Sequence, residues 1–170
     1  AFVGTVTAFV ENYFVIMSEQ IEAATLGDEQ MLSILSNAFV ISSELIPKVV
    51  NLVEAQMNEE ISDLRNFSAK VDDIEANLTR LYCQQRADHI VFKKFDWVRC
   101  DYGAKLSREP EAVSTKFVRF FDYLSRLSPL IERCTSADDV EPILGGIIEA
   151  VVLNMTNPKG KFWTQLSAGG

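Results

Sequence analysis

The segment VEPILGGIIEAVVLNM, residues 140–155, shows which class of fold this chain adopts. Its apolar side chains recur at alternating spacings of three residues and one residue, from Val140 to Met155. These spacings place the side chains on one broad stripe of an α-helix. The segment therefore predicts an amphipathic helix, from about Ala137 to Asn157, that buries one face.

The start of this helix has two candidate N-caps. Ser136 followed by Asp139 resembles a capping box in which Asp replaces the usual Glu. Asp139 as the N-cap would instead place Pro142 at the third helical position, where a missing N–H is tolerated. Both alternatives put acidic residues in the first turn, where they complement the helix dipole.

Two adjacent glycines, Gly145 and Gly146, interrupt the apolar stripe of the same helix. Neither a GxGxxG pattern nor a GxxxxGK(S/T) pattern surrounds them, so they do not form a phosphate loop. Glycine in a helix interior costs about 0.5–1 kcal/mol relative to alanine. We therefore expect a neighbouring helix to approach closely at this point.

The same spacing predicts the other helices, working outward along the chain. Four further helical runs are expected, at residues 2–26, Glu29–Asn66, Phe67–Phe95 and Glu111–Arg133. Few segments alternate with a period of two, so no sheet is expected. The predicted fold is all-α: an elongated antiparallel bundle of five to six long helices, or a rod of stacked bundles.

Glycine and proline mark where the first helices end. Gly27 suits a C-terminal cap and Asp28 suits the N-cap of the next helix. Pro47 then falls inside a helical run, where it removes one hydrogen bond. It predicts either a kink or a restart in which Ser42 or Ser43 caps a new helix.

The 170 residues, 48% hydrophobic and 24% charged, have the composition of one globular domain, residues 1–170. No uncharged apolar run reaches 18 residues, so no membrane span is expected. The chain begins with Ala1 and ends in FWTQLSAGG, which predicts a fragment of a longer rod-like polypeptide.

Cysteine and asparagine patterns bear on the compartment. The odd number of cysteines without a CxxC pair argues against a disulfide framework or a zinc site, and suits a reducing compartment. Two of the three Asn-x-Ser/Thr sequons lie in predicted helices, which favours chance occurrence over glycosylation. The residues are Cys83, Cys100 and Cys134, and Asn66, Asn77 and Asn154.

Charge is unevenly distributed along the chain, which carries a net charge of −8. Residues 1–79 carry net −10 and residues 80–170 carry net +2. The overall acidity disfavours nucleic acid as a partner, because such binding requires a basic face. The second half permits an acidic partner.

The stretch FKKFDWVRCDYGAKLSREP, residues 92–110, breaks the helical periodicity and mixes aromatic with basic residues. One interpretation is a partner surface, because aromatic residues and Arg are enriched at interfaces. Its cationic members are Lys93, Lys94, Arg99 and Lys105. The other interpretation, which we favour, is a corner whose rings anchor the helix end in the core. The predicted core anchors here and in the next helix are Phe92, Phe95, Trp97, Phe117, Phe120 and Phe121.

No catalytic residues, metal ligands or cofactor site are predicted. The single histidine, His89, is six residues from Cys83, so the two side chains diverge on a helix and cannot form a nucleophilic pair. The acidic pairs are adjacent in sequence, which also makes them diverge. An alternative function remains a ligand pocket near His89. Its polar groups would come from Tyr82, Arg99, Asp101 and Tyr102.

Residues 30–170 as a whole resemble a known family. The segments that carry the likeness are LSNAFVISSELIPKVVNLVEAQMNEEI (35–61), FDW (95–97), VSTKFVRFFDYLSRLSPLI (113–131), EPILGGIIEAVVLNM (141–155) and FWTQLSAGG (162–170). In this order they resemble the C-terminal helical bundles of CATCHR-group vesicle-tethering subunits, and exocyst subunits most of all. The pattern consists of helix lengths and anchor residues, not a signature motif.

The resemblance implies a non-enzymatic scaffold that is cytoplasmic and peripheral to membranes. Partners implied by the family are sister subunits, Rab- and Rho-type small GTPases, SNAREs and phosphoinositides, with no catalytic or cofactor residues. It also implies that Trp97 is a core anchor. A helical regulatory domain of a small-GTPase signalling protein is a further alternative.

Overall fold

The computed structural model describes residues 2–23, 26–57, 62–99 and 111–168, and every regular element in these ranges is helical. The predicted all-α class is confirmed, while the elongated rod stays a prediction. The α-helices are α1 (Phe2–Glu22), α2 (Asp28–Val40), α3 (Ile46–Met57), α4 (Ser62–Asp88), α5 (Glu111–Cys134), α6 (Ala137–Thr156) and α7 (Lys161–Ala168).

The chain divides into two compact units, where the sequence predicted one domain. Unit 1 covers Ala1–Tyr82 and unit 2 covers Cys83–Gly170, so the division falls within α4. Each unit has its own apolar core, to which every helix contributes one stripe of side chains.

In unit 1 the core lies among α1, α2, α3 and the part of α4 up to Tyr82. Its buried apolar residues are Val10, Phe14, Met17, Ile21, Met31, Leu32, Leu35, Ala38, Ile46, Val50, Leu64, Phe67, Val71, Leu78 and Tyr82. Two ion pairs link helices at its surface. Arg65 on α4 donates twice to the Glu54 carboxylate, both at 3.0 Å, and Lys70 on α4 pairs with Glu11 on α1.

The start of α2 differs by one residue from the prediction. Gly27 is the N-cap, in an extended conformation, and Asp28 is the first helical residue. The Gln30 side chain reaches back and accepts a hydrogen bond from the Gly27 N–H at 3.0 Å. Asp28 therefore acts on the helix dipole from the first turn and does not cap the helix.

Pro47 does not restart a helix, which corrects one of the two alternatives. A π-helical turn, Ile41–Leu45, joins α2 directly to α3, and the Ile46 N–H donates to the carbonyl five residues back. The Ser42 and Ser43 hydroxyls both donate to the Phe39 carbonyl, so neither is an N-cap. The wider turn carries the helix into the proline, which itself has no N–H to donate.

The break after this helix also lies earlier than predicted, because α4 begins at Ser62 and Asn66 belongs to it. The continuous helix Asp28–Met57 is long and apolar enough to cross a membrane by length and composition, and 28% of the relevant 18-residue window is buried. A single helix that meets these two criteria does not by itself indicate a membrane location.

In unit 2 the core lies among the end of α4, the segment that follows it, and α5, α6 and α7. Its buried apolar residues are Cys83, Ala87, Ile90, Val91, Trp97, Phe120, Leu124, Leu127, Ile131, Ile143, Ile147, Val151 and Phe162. Of the two proposed N-caps of α6, Ser136 occupies the N-cap position, directly before the first helical residue Ala137. Its side chain makes no capping hydrogen bond to the backbone. The hydroxyl instead donates to the Asp139 carboxylate at 2.8 Å, so the expected capping box does not form.

Candidate functional site at the aromatic corner

The segment after α4 turns the chain sharply. A π-helical turn, His89–Lys94, ends with the Phe95 N–H bonded to the Ile90 carbonyl at 3.1 Å. Asp96 then adopts a left-handed conformation with φ of 46°, which Asp tolerates better than most residues. A short 3₁₀ turn, Trp97–Arg99, follows. The left-handed residue ends the helix and directs Trp97 into the core.

Trp97 is the centre of a ring cluster between this corner and α5. It is 2% exposed, stacks on Phe95 with ring centroids 5.9 Å apart, and meets Phe120 edge to face at 5.5 Å. Phe117 lies at 5.3 Å from the same indole. Such pairs stabilise by about 0.5–1.5 kcal/mol each beyond area burial. The corner interpretation of residues 92–97 therefore fits the geometry.

The predicted core anchors divide into three groups. Trp97 and Phe120 are buried, and Phe92 and Phe95 are half-buried. Phe117 and Phe121 are instead 41% and 59% exposed, so the prediction was wrong for these two. Adjacent helical residues point about 100° apart, so burial of Phe120 turns Phe121 outward. Phe117 sits at the edge of the cluster, with one face on Trp97 and the other in solvent.

The structure describes the side chains of two of the four residues of the predicted cationic surface. Lys93 and Lys94 are exposed, and the Lys94 ammonium lies 4.1 Å from the centroid of the Tyr123 ring on α5. The Arg99 side chain and Lys105 lie outside the described residues. A cation that the prediction did not include, Lys116, donates to the Asp96 carbonyl at 3.2 Å and so ties α5 to the corner.

A patch that the sequence analysis missed lies on the outer side of α5. It consists of Phe117, Val118 and Phe121, of which the last two are each 59% exposed; we call it the α5 patch. The residues are three or four positions apart, so their side chains are neighbours on the helix surface. The doubled apolar pairs Phe117–Val118 and Phe120–Phe121 were the available signal, because one buried face cannot take both members of each pair.

A polar cluster joins the end of α4 to α6. The Asn154 side-chain amide donates to the Asp88 carboxylate at 2.7 Å, and Gln84 donates to both Asp88 and Asn154, at 3.0 and 3.2 Å. Asn154 is half-buried within a helix, which supports chance occurrence of its sequon. His89 follows Asp88 and is half-buried. Asp101 and Tyr102, needed for a pocket near it, lie outside the described residues.

Reactive groups in the described residues are few. They contain no group of three or more His, Cys, Asp or Glu residues placed to hold a metal ion. Burial raises the pKa of the Cys83 thiol from its ordinary value of 9.0 to about 11, so it keeps its proton at neutral pH. No family model, curated protein or solved structure matches this chain.

Proposed function

We propose that this chain is a non-enzymatic interaction segment of a CATCHR-type vesicle-tethering subunit. In this role it binds sister subunits, with a Rab- or Rho-type small GTPase or a SNARE as a further partner, in the cytoplasm at the periphery of membranes. The support for the tethering role is the resemblance of residues 30–170. The all-α fold of the described residues is compatible with that resemblance.

The observation that carries a binding role is the α5 patch. Single exposed apolar residues are ordinary, but contiguous exposed apolar groups mark interaction sites. Phe117, Val118 and Phe121 are held on a helix that the buried Phe120 anchors in the Trp97 cluster, and Phe117 itself contacts the indole. Aromatic anchors on a rigid element are the usual energetic centre of an interface.

Charges on α5 do not form a cationic rim around the patch. The exposed Asp122 follows Phe121 and lies one turn beyond Val118, whereas Arg119 and the Tyr123 ring under Lys94 are each about 160° around the helix from Phe121. The expected partner surface is therefore an apolar one.

The test is affinity capture of the full-length protein from cells that express it, with every copurifying chain identified. Wild type is expected to recover several large helical proteins in fixed ratio, and a small GTPase only in the GTP-loaded state. Phe121→Asp is expected to lose sister subunits, because a charge would be buried at the apolar centre.

Ser125→Asp is the matched control. Ser125 is exposed on α5 one turn beyond Phe121, so it receives the same charge at a position that is already polar. Recovery of wild-type protein alone would overturn the complex-subunit proposal. Equal recovery of sister subunits with Phe121→Asp and Ser125→Asp would show that the α5 patch does not bind them.

A further inference from the structure

Unit 1 contains a groove between α1 and α4 that the sequence analysis did not predict. Its volume is about 520 Å³, within the range of roughly 300–1,000 Å³ typical of ligand sites. It is lined by five residues of α1 and six residues of α4. The fully buried side chains of Phe14 and Leu78 form its floor.

The α1 wall has the spacing by which one helix packs on another. Its residues recur at i, i+4, i+7 and i+11, and each follows by one position a residue of the α1 core stripe. The wall is therefore turned about 100° from the core. The wall residues are Glu11, Val15, Ser18 and Glu22, and the core stripe is Val10, Phe14, Met17 and Ile21.

The α4 wall repeats the same spacing with the opposite displacement. Three of its four residues come one position before a buried residue of α4, so this wall is turned from the core in the other direction. Opposite rotations make the two walls face each other across the groove. The wall residues are Lys70, Ile74, Asn77 and Leu81, and the buried residues are Val71, Leu78 and Tyr82.

The two walls are in register. The ion pair between Glu11 and Lys70 crosses one end of the groove, and both walls extend from it for 11 residues. At about 1.5 Å per residue this is about 16 Å, or three helical turns. Polar and apolar residues alternate along the α4 wall, whereas the α1 wall is polar except for Val15, and the floor between them is apolar.

We propose that this groove binds an amphipathic α-helix of a partner protein, about three turns long. The walls offer the side-chain spacing into which a third helix packs, with its apolar stripe over Phe14 and Leu78. Glu22 lies on the α1 side and Arg80 on the α4 side, away from the Glu11–Lys70 pair. The occupant therefore carries basic residues on the flank facing α1 and acidic residues on the flank facing α4.

The proposal goes beyond the tethering role and does not depend on it. The groove is formed by residues 11–81 and the α5 patch by residues 117–121, in different units. Variants of one site leave the other intact, so failure of either proposal can be recognised separately.

The test selects a phage-displayed library of helical peptides of about 14 residues, roughly four turns, on the whole 170-residue chain. The library is first depleted on the Ser18→Trp chain, in which an indole fills the middle of the groove. Enriched peptides are expected to show apolar residues at i, i+3 or i+4, and i+7. A fluorescein-labelled copy of the best peptide is expected to bind Ser18→Trp at least about tenfold more weakly than wild type, by fluorescence anisotropy.

Ser33→Trp is the matched control for the indole. Ser33 is exposed on α2, outside the groove, and its hydroxyl donates to the carbonyl four residues back, as that of Ser18 does. Its affinity for the peptide is expected to equal that of wild type. Glu22→Lys is expected to weaken binding, and replacing the facing basic residue of the peptide with Glu is expected to restore it. Glu19→Lys, on the same helix but outside the groove, is expected to change little.

Several results would overturn the proposal. One is that no peptide is enriched on wild type after depletion on the Ser18→Trp chain. Another is that the enriched peptides lack the helical apolar spacing. A third is that the best peptide binds wild type and Ser18→Trp with equal affinity. Binding of cis-parinaric acid that Ser18→Trp abolishes, with no peptide enriched, would assign the groove to a lipid. A dimer in sedimentation equilibrium that Ser18→Trp dissociates would assign it to a second copy of this chain.

Discussion

A β-carbon added to Gly146 on α6 would lie 2.9 Å from the sulfur of Cys83 on α4. The same sulfur donates a weak hydrogen bond to the Ile143 carbonyl at 3.6 Å. Both helices therefore meet through the thiol, and only a residue without a side chain fits opposite it. At the neighbouring Gly145, no other helix among the described residues comes within 4 Å of the equivalent position. The predicted close approach is thus confirmed for Gly146 and wrong for Gly145.

Alanine at these two adjacent positions is expected to have opposite effects on stability. Gly146→Ala forces Cys83 or the helix to shift, and is expected to lower the free energy of unfolding by about 1–3 kcal/mol. Gly145→Ala only improves helix propensity, and is expected to raise the free energy of unfolding by about 0.5–1 kcal/mol. Urea unfolding followed by circular dichroism measures both. Each variant is the control of the other, and changes of the same sign would contradict the close approach.

Removing the sulfur is expected to abolish the cost at Gly146. In a Cys83→Ala background, the added methyl group meets no sulfur, so Gly146→Ala is expected to be nearly neutral. A double-mutant cycle should then show a coupling free energy of at least about 1 kcal/mol between the two positions. Additive effects of the two substitutions would place the strain elsewhere on α6.

Because Cys83 is buried, the folding stability of the chain is expected to fall at alkaline pH. Its pKa is raised by burial to about 11 in the folded chain, above its ordinary value of 9.0. The contribution to stability is therefore complete below pH 9 and is lost as pH rises from 9 towards 11, because the unfolded chain ionises first. The expected loss by pH 10.5 is roughly 2 kcal/mol.

The measurement is the difference in unfolding free energy between wild type and Cys83→Ala, at pH 8 and pH 10.5. Lysine and tyrosine residues also titrate in this range, and taking the difference removes their shared contribution. A difference that does not change with pH would show that the Cys83 thiol is open to solvent.

The aromatic corner is expected to depend on Trp97 much more than on Phe121. Trp97→Ala removes the centre of the ring cluster and is expected to cost about 3–5 kcal/mol. Phe121→Ala removes a side chain that is 59% exposed, and is expected to change stability by less than about 1 kcal/mol. Thermal and urea unfolding of both variants measure this. A large loss of stability in Phe121→Ala would show that the Phe121 side chain is buried in the core.

The helical class and most helix ends follow from local sequence. The spacing in residues 140–155 predicts α6 to within one residue, and the helix predicted at Glu111–Arg133 is α5 with one residue added. Ser136 as N-cap was one of two alternatives, and only the folded chain distinguishes them. The π-helical turn before Pro47 could not be predicted, because the apolar spacing is nearly the same in a continuous α-helix and in one that contains a wider turn.

The sequence by itself determined that the chain is all-α, and in the FDW stretch, where the periodicity breaks, it favoured a corner with Trp97 buried over a partner surface. Periodicity is a property of neighbours along one helix, so it needs no knowledge of partners. Only the tertiary structure decided that Phe120 is buried while Phe121 is exposed, that Gly146 and not Gly145 faces another helix, and that α1 and α4 form a groove. Each of these depends on the rotation of one helix against another, which side-chain packing sets after the helices meet.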